Sequence, residues 1–149
     1  MTDVKADALA SRVAHAMLSR EGTGPAWRLG IEEARLGYAR VRMRGRADMA
    51  NGHGIIHGGM IFALADTAFA YACNGRNAAA VAASASIAFL SPAKIGETLI
   101  AEAVERMREG RSGVYAVAVR TAEGRAVAEF QGVSREIGGA TLDPLEESE

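Results

Sequence analysis

The sequence predicts an α+β fold in which an antiparallel β-sheet wraps around one long central α-helix. Three observations carry that expectation. Residues 60–73 are an apolar run of strong helix formers, without Gly or Pro and longer than a usual strand. Four β-type runs follow at about residues 79–90, 97–108, 113–121 and 125–136, separated by turn signals at Ser91-Pro92, Glu109-Gly110 and Glu123-Gly124. Residues 38–44 alternate Ala39, Val41 and Met43 with Arg40, Arg42 and Arg44, as a strand with one wet face does.

In chain order, an N-terminal helix is expected over about residues 3–20, where Leu9, Val13, Ala16 and Met17 recur at helical spacing. The cluster Gly22-Thr23-Gly24-Pro25 ends it. After the strand at 38–44 comes a loop, ADMANGHG, and then the central helix. That helix is apolar nearly all round, so other elements must cover it. Tight connections between the later runs imply an antiparallel meander. From Gly138 onward the chain is Gly-led and acidic, ending LDPLEESE, and is expected to fray. No internal repeat or low-complexity segment is present, and residues 1–149 read as a single domain.

The bulk composition narrows the function. The 17 basic and 18 acidic residues leave a formal net charge of −1, so no chain-wide charge favours nucleic acid or an anionic membrane. Cys73 is the only cysteine, which excludes an internal disulfide and fits a small buried hydrophobe in a reducing compartment. The N-terminus, MTDVKADALA, lacks the pattern of a signal peptide, and the longest apolar stretch is broken by Asp66 and Thr67. A soluble, cytoplasmic protein is the expectation.

The chemistry concentrates in residues 51–74, NGHGIIHGGMIFALADTAFAYACN. Gly58 and Gly59 stand at the head of the helix, where the first amides lack intrahelical partners and carry the positive end of the dipole. They either shape the entering loop or open an oxyanion hole to a carbonyl oxygen. Asp66 lies on the apolar helix with no basic residue at i±3 or i±4, so local pairing cannot offset its desolvation. Burial would raise its pKa towards that of a working general base; the alternative is an arginine from elsewhere in the fold. Gly58 and Asp66 are separated by roughly 12 Å of helix at about 1.5 Å per residue, too far to share one carbonyl carbon. If they cooperate, they come from two subunits of a two-fold dimer. His53 and His57 have the i, i+4 spacing of a metal pair, but the surrounding glycines argue for a loop, and no metal is expected. Asn51-Gly52 most simply makes a turn.

The run N-x-H-G-x-x-H-G-G-x-x-F-x-L-A-D-T-A-x-A-Y-A-C-N resembles the hotdog-fold acyl-CoA thioesterases of the phenylacetate-degradation (PaaI-like) type. The similarity continues through SIAFLSPAKIGETLIAEA and GVYAVAVRTAEGRAVAEFQGVSREIGG. It implies a dimer with a joined sheet as the minimal unit and a homotetramer made from two dimers. It implies hydrolysis of an acyl-CoA, with phenylacetyl-CoA or hydroxyphenylacetyl-CoA as expected substrates and no cofactor beyond the coenzyme A of the substrate. Carried onto this sequence, the pattern makes Asp66 the catalytic carboxylate, as general base or nucleophile. Gly58 supplies the oxyanion N–H, His57 lies beside the carbonyl, and Asn51 helps hold the carbonyl or the attacking water. Gly59, Thr67 and Ser84 fall on the substrate side, with Ser84 joining the carboxylate from its own subunit and Ser86 sharing its face. Two other readings stay open: a module that binds acyl-CoA without turnover, and a hotdog hydratase.

Overall fold

The computed structural model describes residues 1–148. A six-stranded antiparallel sheet, in the order β1-β2-β4-β5-β6-β3, curls around α3. Its strands are β1 (Gly30–Arg35), β2 (Tyr38–Arg44), β3 (Ala80–Phe89), β4 (Thr98–Glu109), β5 (Ser112–Thr121) and β6 (Ala126–Glu136). The helices are α1 (Asp3–Arg20), the short α2 (Thr23–Trp27), the central α3 (Gly58–Asn74) and a short α4 (Pro144–Ser148).

Period-two alternation supplies the inner face of the sheet. Val41 and Met43 of β2, Leu99, Ala101 and Ala103 of β4, and Val117 and Val119 of β5 are all buried. They meet Ile61, Leu64, Ala65, Ala68 and Ala72 of α3 in one cluster. Phe69 packs edge-on to Tyr115 at 5.4 Å between ring centroids and lies 5.8 Å from Phe130. A Cβ on Gly132 would come within 2.8 Å of the Phe69 ring, so glycine there allows helix and sheet to approach. α1 packs on β1 and α3, with Ala14 in the core cluster and Ala10 beside Gly75, while its Leu9 and Val13 meet Leu142 of the tail.

Three findings differ from the sequence expectations. First, β1 was not foreseen: GIEEAR has no clean alternation, and it is a strand because β2 offers it an edge across the Gly37 turn, where φ is +68°. Second, only β4, β5 and β6 form a meander. β3 pairs with β6 at the far edge, so the chain must cross the end of the sheet to reach β4 beside β2. Third, the described part of the tail carries a short helix, α4, and contacts with the body of the fold. Asn77 Oδ1 accepts the Thr141 and Leu142 N–H groups at 3.0 and 2.9 Å, and Leu142 is buried against Leu9 and Val13. Unmet apolar surface on α1 and the left-handed Asn77 (φ +62°) outweigh the acidic composition. Glu149 lies outside the described residues.

Candidate active site

The crossing from β3 to β4 builds the site. It passes under the start of α3, where the Ile56 N–H donates to the Ala93 carbonyl at 2.9 Å and Ile55 bridges to Lys94. Between this crossing and the helix lies a cleft of about 380 Å³, lined by Asn51, Ile55, Ile56, Gly58, Ile61 and residues 89–93.

His57 caps α3. Its Nδ1 accepts the Gly59 N–H at 2.8 Å, which leaves the ring proton of the neutral imidazole on Nε2. A Cβ on Gly59 would come within 2.9 Å of that Nδ1, so glycine here makes room for the cap. The Gly59 N–H is therefore engaged by the cap. The Gly58 N–H, one residue earlier, has no partner among the described residues and opens on the cleft. His53 and His57 are both exposed and precede the helix, and no group of three or more metal-ligating side chains converges among the described residues.

Asn51 lines the same cleft. Its Oδ1 accepts the His53 N–H at 2.9 Å and the Ile55 N–H at 3.4 Å, fixing the loop, while Nδ2 has no partner among the described residues. That amide is a ready donor beside Gly58.

Asp66 sits two turns further along α3. It is half-buried, it makes no hydrogen bond or ion pair among the described residues, and desolvation by burial raises its pKa. Asp66 does not line the Gly58 cleft of its own chain. Thr67 donates back to the Ala63 carbonyl at 2.8 Å, a bond within the helix. Cys73 is buried, and burial pushes its thiol up to about 12.

Ser84 stands on the outer face of β3 within the single chain. It pairs with Val133, and Ser86 with Gln131, on the face of the sheet away from α3, whereas Ile87 and Ala85 pair with the inward Phe130 and Gly132. A bulge between Ala82 and Ser84 shifts the alternation by one residue and turns Ser84 outward. The free edge of β3 is unusual in another way. Residues 81–86 are exposed on both faces, and Val81, Phe89 and Leu90 add apolar surface. Sequence reading missed the segment 89–93 as a site wall; its one local signal was the apolar Phe89-Leu90 pair before Ser91-Pro92.

Residues 53–128 match the family model of the thioesterase superfamily. The acyl-coenzyme A thioesterase PaaI of Escherichia coli (strain K12) is 44% identical over 126 residues, covering 85% of this chain and 90% of that protein. The solved structure of the E. coli PaaI protein from the phenylacetic acid degradation operon matches with a TM-score of 0.88 at 42% identity. It covers 90% of this chain and 97% of that one. The TT0310 protein of Thermus thermophilus matches with a TM-score of 0.76 at 38% identity, over 79% of this chain and 99% of that one.

Proposed function

The chain belongs to the thioesterase superfamily as a PaaI-like hotdog thioester hydrolase, and from that premise we propose that it hydrolyses acyl-CoA between two subunits. The carbonyl oxygen is held by the Gly58 N–H of one subunit, and Asp66 of the other acts on the carbonyl carbon. One observation carries this reading: a half-buried carboxylate of raised pKa, without a partner among the described residues, on the same helix as an unpartnered N-terminal amide but two turns away. The free, two-sided edge of β3 supports the dimer, since pairing two such edges joins the sheets and brings two α3 helices together.

The chemistry follows from these groups. In the general-base route Asp66 takes a proton from water as the water oxygen bonds the carbonyl carbon. Negative charge gathers on the carbonyl oxygen, where the Gly58 N–H and Asn51 Nδ2 stabilise it. The C–S bond then breaks and the CoA thiolate leaves, taking up the proton. In the nucleophilic route Asp66 itself bonds the carbon, the C–S bond breaks to release the CoA thiolate, and water cleaves the resulting anhydride to the free acid and the regenerated carboxylate, its spare proton going to the thiolate. The His57 Nε2, the ring nitrogen that the helix cap leaves unused, is the proposed third donor. Thioester cleavage by this route uses no metal or cofactor besides the substrate's coenzyme A, and aromatic acyl groups are the proposed substrates. A homotetramer of two dimers is the proposed assembly. No described helix is long and apolar enough to cross a membrane.

The test is release of free thiol from phenylacetyl-CoA and straight-chain acyl-CoAs, run beside Asp66→Asn. Expected is release by the wild type and its collapse in the variant; equal release by both would overturn the role of Asp66. Co-refolding Asp66→Asn with Gly58→Pro should recover activity in mixed dimers, in roughly a quarter of the sites if pairing is random. Proline suits the backbone of the first helical position and removes the N–H, and the exposed Phe89 ring must shift to admit it. Single-turnover hydrolysis in ¹⁸O-water tests for the nucleophilic route, because label enters Asp66 only when water opens an anhydride at the Asp66 carbonyl.

A further inference from the structure

Gly58 is not required by its backbone angle, which lies outside the left-handed region, and any residue except proline would provide its N–H. Space is the constraint: a Cβ at position 58 would lie 3.0 Å from Cζ of Phe89 and 3.3 Å from Cε1. The Phe89 ring therefore rests on the first turn of α3, directly beside the free amide. It is also 54% exposed at the end of the edge strand, so the ring presents a bare surface to the cleft.

The rest of the lining indicates what meets that surface. Ile55, Ile61, Leu90 and Pro92 are apolar. The Ser91 hydroxyl is already engaged with the Ala126 carbonyl and with Arg125, so it offers little to a polar ligand. An arm carrying amides would find few partners here, whereas an apolar acyl group loses nothing on entry. The cleft's volume of about 380 Å³ compares with a dry cavity of about 150 Å³ that suffices for benzene. A ring joined to a short chain fits with its carbonyl at Gly58.

We propose that Phe89 is the specificity-determining residue of this site: its ring is the wall against which the acyl group lies, and its contact with Gly58 sets how closely that group approaches the oxyanion N–H. The inference rests on the acyl-thioester reading of the cleft. Ring-on-ring contact favours aromatic acyl groups over small aliphatic ones.

The experiment measures kcat/KM for phenylacetyl-CoA and for acetyl-CoA in the wild type, Phe89→Leu, Phe89→Ala, Gly58→Ala and the double variant Gly58→Ala/Phe89→Ala. The phenylacetyl-to-acetyl ratio should fall about tenfold or more in Phe89→Ala and less in Phe89→Leu, in line with the loss of one apolar contact surface. Gly58→Ala keeps the N–H, so its defect should shrink several-fold when the ring is removed in the double variant. An unchanged substrate ratio in both Phe89 variants, or strict additivity of the double variant, overturns the proposal. Should Phe89→Ala lose the wild-type oligomer, Phe89→Leu decides by the same ratio. A wild type that releases no thiol from either ester refutes the hydrolase reading instead. The ratio of equilibrium Kd values for the two esters, wild type against Phe89→Leu, then decides the role of Phe89.

Discussion

The two ends of α3 are built on opposite rules. Beyond Tyr71 every side-chain polar group is matched: Tyr71 donates to Glu21 at 2.8 Å, and Asn74 accepts the Ala80 N–H at 2.9 Å while donating to the Ala70 and Ala80 carbonyls. Between Gly58 and Asp66 an amide and a carboxylate have no partner among the described residues. One helix thus carries a satisfied end that fixes the fold and an open end available to a substrate. Polar groups left unmatched in an apolar setting are costly, so their position marks where a ligand or partner belongs.

The widest contrast is expected from removing the open carboxylate. Asp66→Asn should lower thiol release about 10²- to 10⁴-fold, the range for a general acid or base, without lowering Tm. Intact activity with reduced stability would invert the assignment. At the satisfied end, Asn74→Ala removes the acceptor of the Ala80 N–H and the side-chain donor to the Ala80 carbonyl and should destabilise by about 1–3 kcal/mol in urea unfolding, with kcat near wild type in the folded fraction.

A subtler effect is the pH dependence. Burial raises the folded pKa of Asp66 above its unfolded value, so the folded state holds the proton more tightly. Stability contributed by this group is therefore greatest in acid and declines as pH rises from the unfolded pKa through the folded one. Asp66→Asn should accordingly gain Tm relative to wild type at neutral pH and lose that gain in acid. Activity runs the other way: kcat/KM should fall with acidification at an inflection above the usual carboxylate range. A profile flat through that region would remove Asp66 as the base. The smallest effect is expected at Cys73, where burial and a thiol pushed up to about 12 make the residue a spacer. Cys73→Ala should change stability by about 1 kcal/mol and leave activity intact, and thiol reagents should not inactivate the folded protein.

Much of this was legible in the sequence because the signals are local. The length and composition of residues 60–73 specify a helix, and the alternation in 38–44 specifies a half-buried strand, since helix and strand periods depend only on near neighbours. Asp66 stood out for the same reason: the absence of a base at i±3 and i±4 can be read directly. The cap that engages Gly59 was not legible because a capping histidine and an oxyanion amide share the same glycine-rich context. The face that Ser84 occupies was not legible because the bulge after Ala82 inverts the alternation, and nothing in the letters marks it.

The sequence by itself determined the two long helices and five of the six strands, the apolar surfaces that must be covered, and the presence of one acid with no local partner. Only the tertiary structure decided the strand order, the crossing that walls the cleft, the seat of the tail on α1, and the ring of Phe89 resting on Gly58. Those depend on contacts between residues far apart in the chain, whose pairing is selected by the packing of the whole core rather than by any one segment's propensity.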